Sequence, residues 1–448
     1  MKKAGIFKKK KKEKNSILPE AVSENRALDS VPDKKDNKNL ETQINSKIYT
    51  YVHGVDRPML IIILLLSFFG LIMVYSSSYV YALTYVGNSA YFAIKQAQFL
   101  ALGIAVMLGI SFFNRKWLHL AVFPAFGLAM ILLVAVLVFG VTEGDAKRWI
   151  YIGPFSFQPS ELMKIALILM IAWLSYRFKN TIHARKKFWK STLYGFVIPI
   201  AIIGVSCLLV LLEKHLSGTI ILFLIGFAML WANGSPKVWT ITLFVVIAAV
   251  VGGVIFAVTN FPEEVKAAVP DYMFTRVDSW LHPENYSTRN ELWQTIQGKI
   301  AVGSGGFFGR GFGQSLQKHL FVSMPQNDFI FAIVCEELGF IGALLVIGLY
   351  LAFVVRGMYI AKNAPDIFCS LTAVGISAHV GFQAFLNMAV VTGMIPNTGI
   401  ALPFFSAGGS SLIFLFVEMG ILLCISKYTP VYESTTKSKK EKTDKYER

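Results

Sequence analysis

Ten stretches of about twenty predominantly apolar residues each limit what this chain can become. They run over residues 58–80, 92–113, 117–140, 159–176, 191–212, 217–233, 239–260, 327–355, 367–390 and 404–426. In hydrocarbon, backbone N–H and C=O groups must be satisfied within the segment, so each run is expected to be a helix. The predicted fold class is an all-α polytopic membrane protein with ten transmembrane helices. Hydrophobic residues are 54% of the 448, too many for an ordinary soluble domain.

Lys and Arg set the orientation. With the N-terminus inside, the inner segments hold 32 of them and the outer segments nine. Both termini are therefore expected in the cytoplasm, with a long extracellular loop, 261–326, between helices seven and eight. Residues 1–57 hold 14 Lys/Arg, 8 Asp/Glu and few large apolar side chains, which predicts a disordered basic tail. Its run Lys8–Lys12 suits either contact with anionic lipid or a solvated role in fixing topology. The domain plan is tail 1–57, helical domain 58–426 and cytoplasmic tail 427–448. The Lys-rich start leads into a polar stretch, not an apolar core, so no signal peptide is expected. The four cysteines lie in apolar runs without metal-site or disulfide spacing.

Charged residues inside such runs are functional-site candidates. Asp328, Glu336 and Glu337 fall in the eighth run, Asp328 at its edge beside the loop, and at 100° per residue at most two can line one cavity. Asp328 and Glu336 would lie about 80° apart, with Glu337 opposite. Pro159 and Glu161 suit a first helical turn, and Lys164 shares a face with Glu161. Lys164 could snorkel, pair with Glu336 or bind a phosphate. Before them stand Arg148 and Trp149, the latter predicted at the membrane interface. The long loop adds Arg276, Asp278, Trp280 and Glu284, then a run with six glycines from Gly303 to Gly313, which would let backbone approach a ligand. Gly408-Gly409-Ser410-Ser411 opens the tenth run, suiting a cavity lining or close helix packing. The lone His215 reads as weak evidence. No metal motif, P-loop or dinucleotide fingerprint occurs, and no nucleic-acid partner is expected.

Taken together, several blocks resemble the SEDS family, the FtsW, RodA and SpoVE proteins, and most closely its FtsW branch. They are Met73-Val74-Tyr75-Ser76-Ser77-Ser78, Arg148-Trp149-Ile150, Gln158-Pro159-Ser160-Glu161 with Lys164, Ala301-Val302-Gly303-Ser304-Gly305-Gly306, Asp328-Phe329-Ile330-Phe331-Ala332 with Glu336-Glu337-Leu338-Gly339, and Gly408-Gly409-Ser410-Ser411. The resemblance implies a peptidoglycan glycosyltransferase that polymerises lipid II on the outer face of the cytoplasmic membrane. It also implies a class B penicillin-binding protein as partner, among other membrane proteins of division or elongation.

The loop departs from the family pattern. His282 stands at an Asn/Asp place, and Tyr286 stands where a further Asp, the family's loop acid, is expected. Gln326-Asn327 replaces His-Thr, and the acidic pair between helices five and six is reduced to Glu213. Glu284 is the first candidate for the catalytic carboxylate and Asp278 the second. Arg148, Trp149, Lys164, Arg276, Asp328, Glu336 and Ser410 are the candidate substrate-binding residues. A base would deprotonate the acceptor hydroxyl, and cations would stabilise the departing pyrophosphate, with or without a divalent ion. Two rivals remain open: a transporter of lipid-linked precursors, and a catalytically silent scaffold.

Overall fold

The computed structural model describes residues 54–143, 146–152, 155–183, 188–286 and 292–428. The two tails, apart from 54–57 and 427–428, lie outside these, as does the run Lys8–Lys12.

Seven long helices come first: α1 (Arg57–Val86), α2 (Tyr91–Phe112), α3 (Arg115–Phe139), α4 (Pro159–Arg177), α5 (Phe188–Leu212), α6 (Leu216–Ala232) and α7 (Lys237–Asn260). Three more follow the long loop: α11 (Ile330–Lys362), α12 (Ile367–Val391) and α13 (Ser410–Ser426). Eight of the ten are long and apolar enough to cross a membrane, while α6 and α13 are shorter apolar helices of 17 residues. The bundle centre is α4, buried along almost its whole length and packed on α3, α6 and α12. At the other extreme, α7 buries only Thr240 and Val258, so nearly all of its apolar surface faces outward.

Boundaries differ from the sequence expectation for local chemical reasons. The first helix runs on to Val86, because Asp56 caps its start and Ser76 and Ser77 find partners without leaving the helix. Gly87, in the left-handed conformation, ends it.

The purely α expectation needs correction. Residues Val141–Glu143 (β1), Ala146–Ile152 (β2) and Phe155–Phe157 (β3) form a three-stranded antiparallel sheet. Trp149 pairs with Val141, and Ile150 with Phe157. Aromatic and β-branched residues favour this pairing.

The stretch 261–326 is also more than a loop. It holds α8 (Pro262–Ala268), then α9 (Asp271–Leu281), a single 3-10 turn Pro283–Asn285, and α10 (Trp293–Ser304). Pro262 supplies the first turn of α8, where its missing N–H costs nothing.

Two further corrections concern α11. It begins at Ile330, leaving Asp328 in the turn before it. It is also broken at Gly339, whose φ of 66° and ψ of −162° no helix permits. The glycine-rich segment fills that break. The N–H groups of Arg310 and Gly311 donate to the carbonyls of Glu336 and Glu337 at 2.9 and 3.0 Å. In return, Phe340 and Ile341 donate to the carbonyls of Gly306 and Phe307 at 2.9 and 3.3 Å. A Cβ on Gly309 would overlap the Glu337 carbonyl. These glycines therefore serve backbone-to-backbone docking onto a helix.

Candidate functional site

A cavity of about 330 Å³ opens where β2, the start of α4, the turn before α6 and the segment 399–408 converge. Each wall has a local cause. Pro159 starts α4 and turns Ser160, Glu161 and Lys164 inward. The chain between α12 and α13 does not cross the bundle as helix. It is stitched to residues 326–328 instead. Asn387 Nδ2 donates to the carbonyls of Asp328 and Ile400, at 2.7 and 2.6 Å. Ser406 Oγ donates to the Asn327 carbonyl at 2.7 Å, and Ala407 N–H to that of Gln326 at 2.8 Å. Irregular backbone at this depth is tolerated where it lines a cavity.

Of the residues singled out from the sequence, Arg148, Trp149, Lys164 and Asp328 line this space together. Arg276 on α9 is not in the lining, but its charge acts on both Asp328 and His215. Ser410 is not in the lining either; its neighbour Ser411 is. Glu284 sits exposed on the 3-10 turn. Asp278 is buried, with Oδ2 accepting from Tyr286 Oη at 2.7 Å and Oδ1 lying 2.9 Å from His282 Nδ1. The side chains at the two altered family positions therefore both close on Asp278.

Glu336 is elsewhere, and the expected pair with Lys164 does not form. Lys164 Nζ lies 2.9 Å from Glu161 Oε2, one turn back on its own helix. Glu336, fully buried, accepts from Ser315 Oγ and from the N–H groups of Leu316 and Gln317, at 2.9 and 3.3 Å for the latter two. Glu337, equally buried, pairs with Lys318 at 2.9 Å and accepts from Ser76 Oγ at 2.7 and 2.6 Å. Helix phase alone put Glu336 near Asp328. The returning loop 305–318 captures it first.

Electrostatics at the cavity favour an anion. Arg148, Lys164 and Arg276 converge on His215, whose imidazole is pushed down to about 3 by burial first and then by these three cations. It is neutral at any ordinary pH. Its Nδ1 lies 3.3 Å from Ser160 Oγ and 3.4 Å from Gln158 Nε2, as befits an acceptor. Burial pushes the Glu213 carboxyl up to about 8 against the pull of Arg148. Asp328 is likewise raised by burial, with its own backbone N–H and Arg276 opposing. Two nominal acids at this end are thus biased toward the neutral form, leaving the cations in excess. Among the described residues no group of three or more His, Cys, Asp or Glu could hold a metal ion.

The sequence reading passed over His379 and Gln383, which also line the cavity, and Glu418 behind them. Each is a lone polar residue in an apolar run, a signal available at the outset.

A family model described as "Cell cycle protein", covering FtsW, RodA and SpoVE, matches residues 56–430. The chain belongs to the FtsW/RodA/SpoVE family. This SEDS protein is 36% identical over 380 residues to stage V sporulation protein E of Bacillus subtilis, covering 84% of this chain and 97% of that one. It is 34% identical over 393 residues to the probable peptidoglycan glycosyltransferase FtsW of the same organism, covering 86% and 93%. Its fold is similar to a chain from a peptidoglycan synthase complex, with TM-score 0.65, 24% identity and coverage of 83% and 97%. Thermus thermophilus RodA gives TM-score 0.59 at 23% identity, covering 85% and 98%. Family and apolar helices together make it a multi-pass membrane protein.

Proposed function

We propose that this SEDS protein is a peptidoglycan glycosyltransferase that polymerises lipid II on the outer face of the cytoplasmic membrane. In this reading ten helices span the bilayer and both termini are cytoplasmic, as the Lys/Arg bias requires. The observation that carries it is the cationic cavity around Arg148 and Lys164, beside Trp149 and backed by Arg276. A pyrophosphate leaving from a lipid-linked sugar needs preorganised positive charge in a water-poor site. Lys164 and Arg148 supply it, while the apolar wall of Leu402, Pro403, Phe404, Leu412 and Leu415 suits the lipid side. Names of relatives support the same activity. A class B penicillin-binding protein is the proposed partner, alongside other membrane proteins of division or elongation.

The base that takes the acceptor hydroxyl proton is assigned to the 278–286 turn. Glu284 is exposed and free to reach substrate, and Asp278 is its rival. Incubating purified protein and its partner with lipid II should yield glycan chains. Glu284→Gln should lower that yield by about 10²–10⁴-fold with folding intact. If Glu284→Gln polymerises normally and Asp278→Asn does not, the assignment moves. One observation favours a second reading: Tyr286 and His282 occupy both oxygens of Asp278. A parent protein that binds its partner but makes no glycan would establish it as a silent scaffold. Lipid II flipping without polymer would instead mark a transporter.

A further inference from the structure

Behind the cavity a hydrogen-bonded chain runs between three helices. Glu418 on α13 and His379 on α12 are 1% and 3% exposed. Glu418 Oε2 lies 2.7 Å from His379 Nδ1, and His379 Nε2 lies 2.8 Å from Gln383 Oε1. That same Gln383 oxygen accepts from Lys164 Nζ on α4 at 3.3 Å. Lys164 then meets Glu161.

The protons along this chain can be counted. Gln383 Nε2 donates to the Ala401 carbonyl at 2.9 Å, and a carbonyl only accepts. The amide orientation follows from that contact, so Oε1 must be the acceptor for both of its neighbours. His379 therefore carries a proton on Nε2. The contact of its Nδ1 with a carboxylate oxygen needs another. Whether the second proton sits on imidazole or carboxyl, the pair as a whole is neutral. This is the state in which a buried pair is tolerated.

We infer that Glu418 and His379 are a proton-carrying positioning pair that holds Lys164, through Gln383, toward an anionic group in the cavity. The inference rests on the anion-site reading above. Neither residue needs to touch substrate. If the pair gives up its shared proton, Glu418 is left as a carboxylate and claims the one remaining N–H on Nδ1. His379 Nε2 then presents a lone pair to the Gln383 oxygen, and the two acceptors repel. Gln383 is displaced, and with it the tether on Lys164. The titratable and charged groups around this pair are Glu418 on α13, Lys164 and Glu161 on α4, and Arg148, His215 and Asp328 across the cavity. A mere staple between α12 and α13 would hold these helices equally well without the Nε2 proton.

Full-length protein in nanodiscs, titrated with inorganic pyrophosphate at one neutral pH, tests this. Glu418→Gln should keep the parent affinity, because a glutamine amide donates to Nδ1 and leaves a neutral imidazole with its proton on Nε2. His379→Phe with Glu418→Leu, an apolar pair that should leave thermal unfolding near parent, should bind pyrophosphate about tenfold more weakly, the worth of one charge-assisted hydrogen bond. Identical affinities in all three proteins would overturn the inference. If the double variant fails to fold, Gln383→Leu, which cuts the same chain, decides: parent affinity there overturns it. A polymerisation assay on the same preparations separates this failure from that of the functional reading. Glycan made with an unchanged KM in both variants sinks the pair only. A parent that neither binds pyrophosphate nor makes glycan sinks both.

Discussion

Two clusters of buried charge lie in this bundle, and they are built on opposite principles. Around Glu336 and Glu337, both carboxylates are held by dedicated donors, namely two backbone N–H groups, two serine hydroxyls and Lys318. Around Lys164 the charges are only partly matched. Arg148, Lys164 and Arg276 all act on one neutral histidine, Lys164 pairs with Glu161, and other nearby acids are pushed toward their protonated forms. Complete satisfaction makes a fastener. Incomplete satisfaction leaves positive charge for something the protein itself does not supply.

The largest expected effect breaks the fastener. Lys318→Met strands Glu337 in a dry site and should cost about 3–5 kcal/mol of stability, read by denaturant unfolding in detergent. Lys318→Met with Glu337→Leu should recover most of that loss. Equal losses in both proteins would show that the pair does not fasten the loop.

Next comes the incomplete cluster. Lys164→Met should lower polymerisation by about 10²–10³-fold, the scale for one preorganised stabilising donor, with a smaller stability loss than Lys318→Met because Glu161 keeps some contact with solvent. A large stability loss and normal residual turnover would place Lys164 with the fasteners and erase the contrast.

The smallest effect concerns Glu213. Its folded pKa of about 8 exceeds the ordinary value of 4.5. Between these values the folded state holds more protons than the unfolded chain, so stability falls as pH rises through this window. Removing the ionisable group should therefore help at high pH. Glu213→Gln should raise the melting temperature by a few degrees, about 1 kcal/mol, at alkaline pH and leave it unchanged near pH 4. A gain of equal size at both ends would mean that packing, not ionisation, is at work.

Much of the fold was legible because ten apolar runs leave a membrane chain few choices. What escaped notice lay where a distant segment decides local structure. Nothing within 141–157 announces a sheet until Val141 meets Trp149. Periodicity aligned Glu336 with Asp328, yet it could not reveal that residues 315–317 return to bind the former. At the site, Arg148, Trp149, Lys164 and Asp328 stood out as polar residues at apolar boundaries. His379 and Glu418 carried the same polar signal, but their meaning is a contact between two residues 39 apart in sequence on different helices. His215 looked trivial for a related reason: its neutrality comes from burial first and then from cations on three separate elements.

The joint at Gly339 has a consequence for how this protein can drift in sequence. Peptide groups make the connection between the glycine-rich segment and α11, and every residue except proline carries the same ones. Most positions along the seam can therefore change letter without loosening it. Gly305, Gly309 and Gly339 cannot, since a methyl at any of them would collide with the opposing main chain, and the last two also have positive φ. Saturation mutagenesis of 305–311 and 338–341 should thus trace a seam whose tolerance breaks at its glycines. A joint specified by so few side chains can persist long after the surfaces around it have changed beyond recognition.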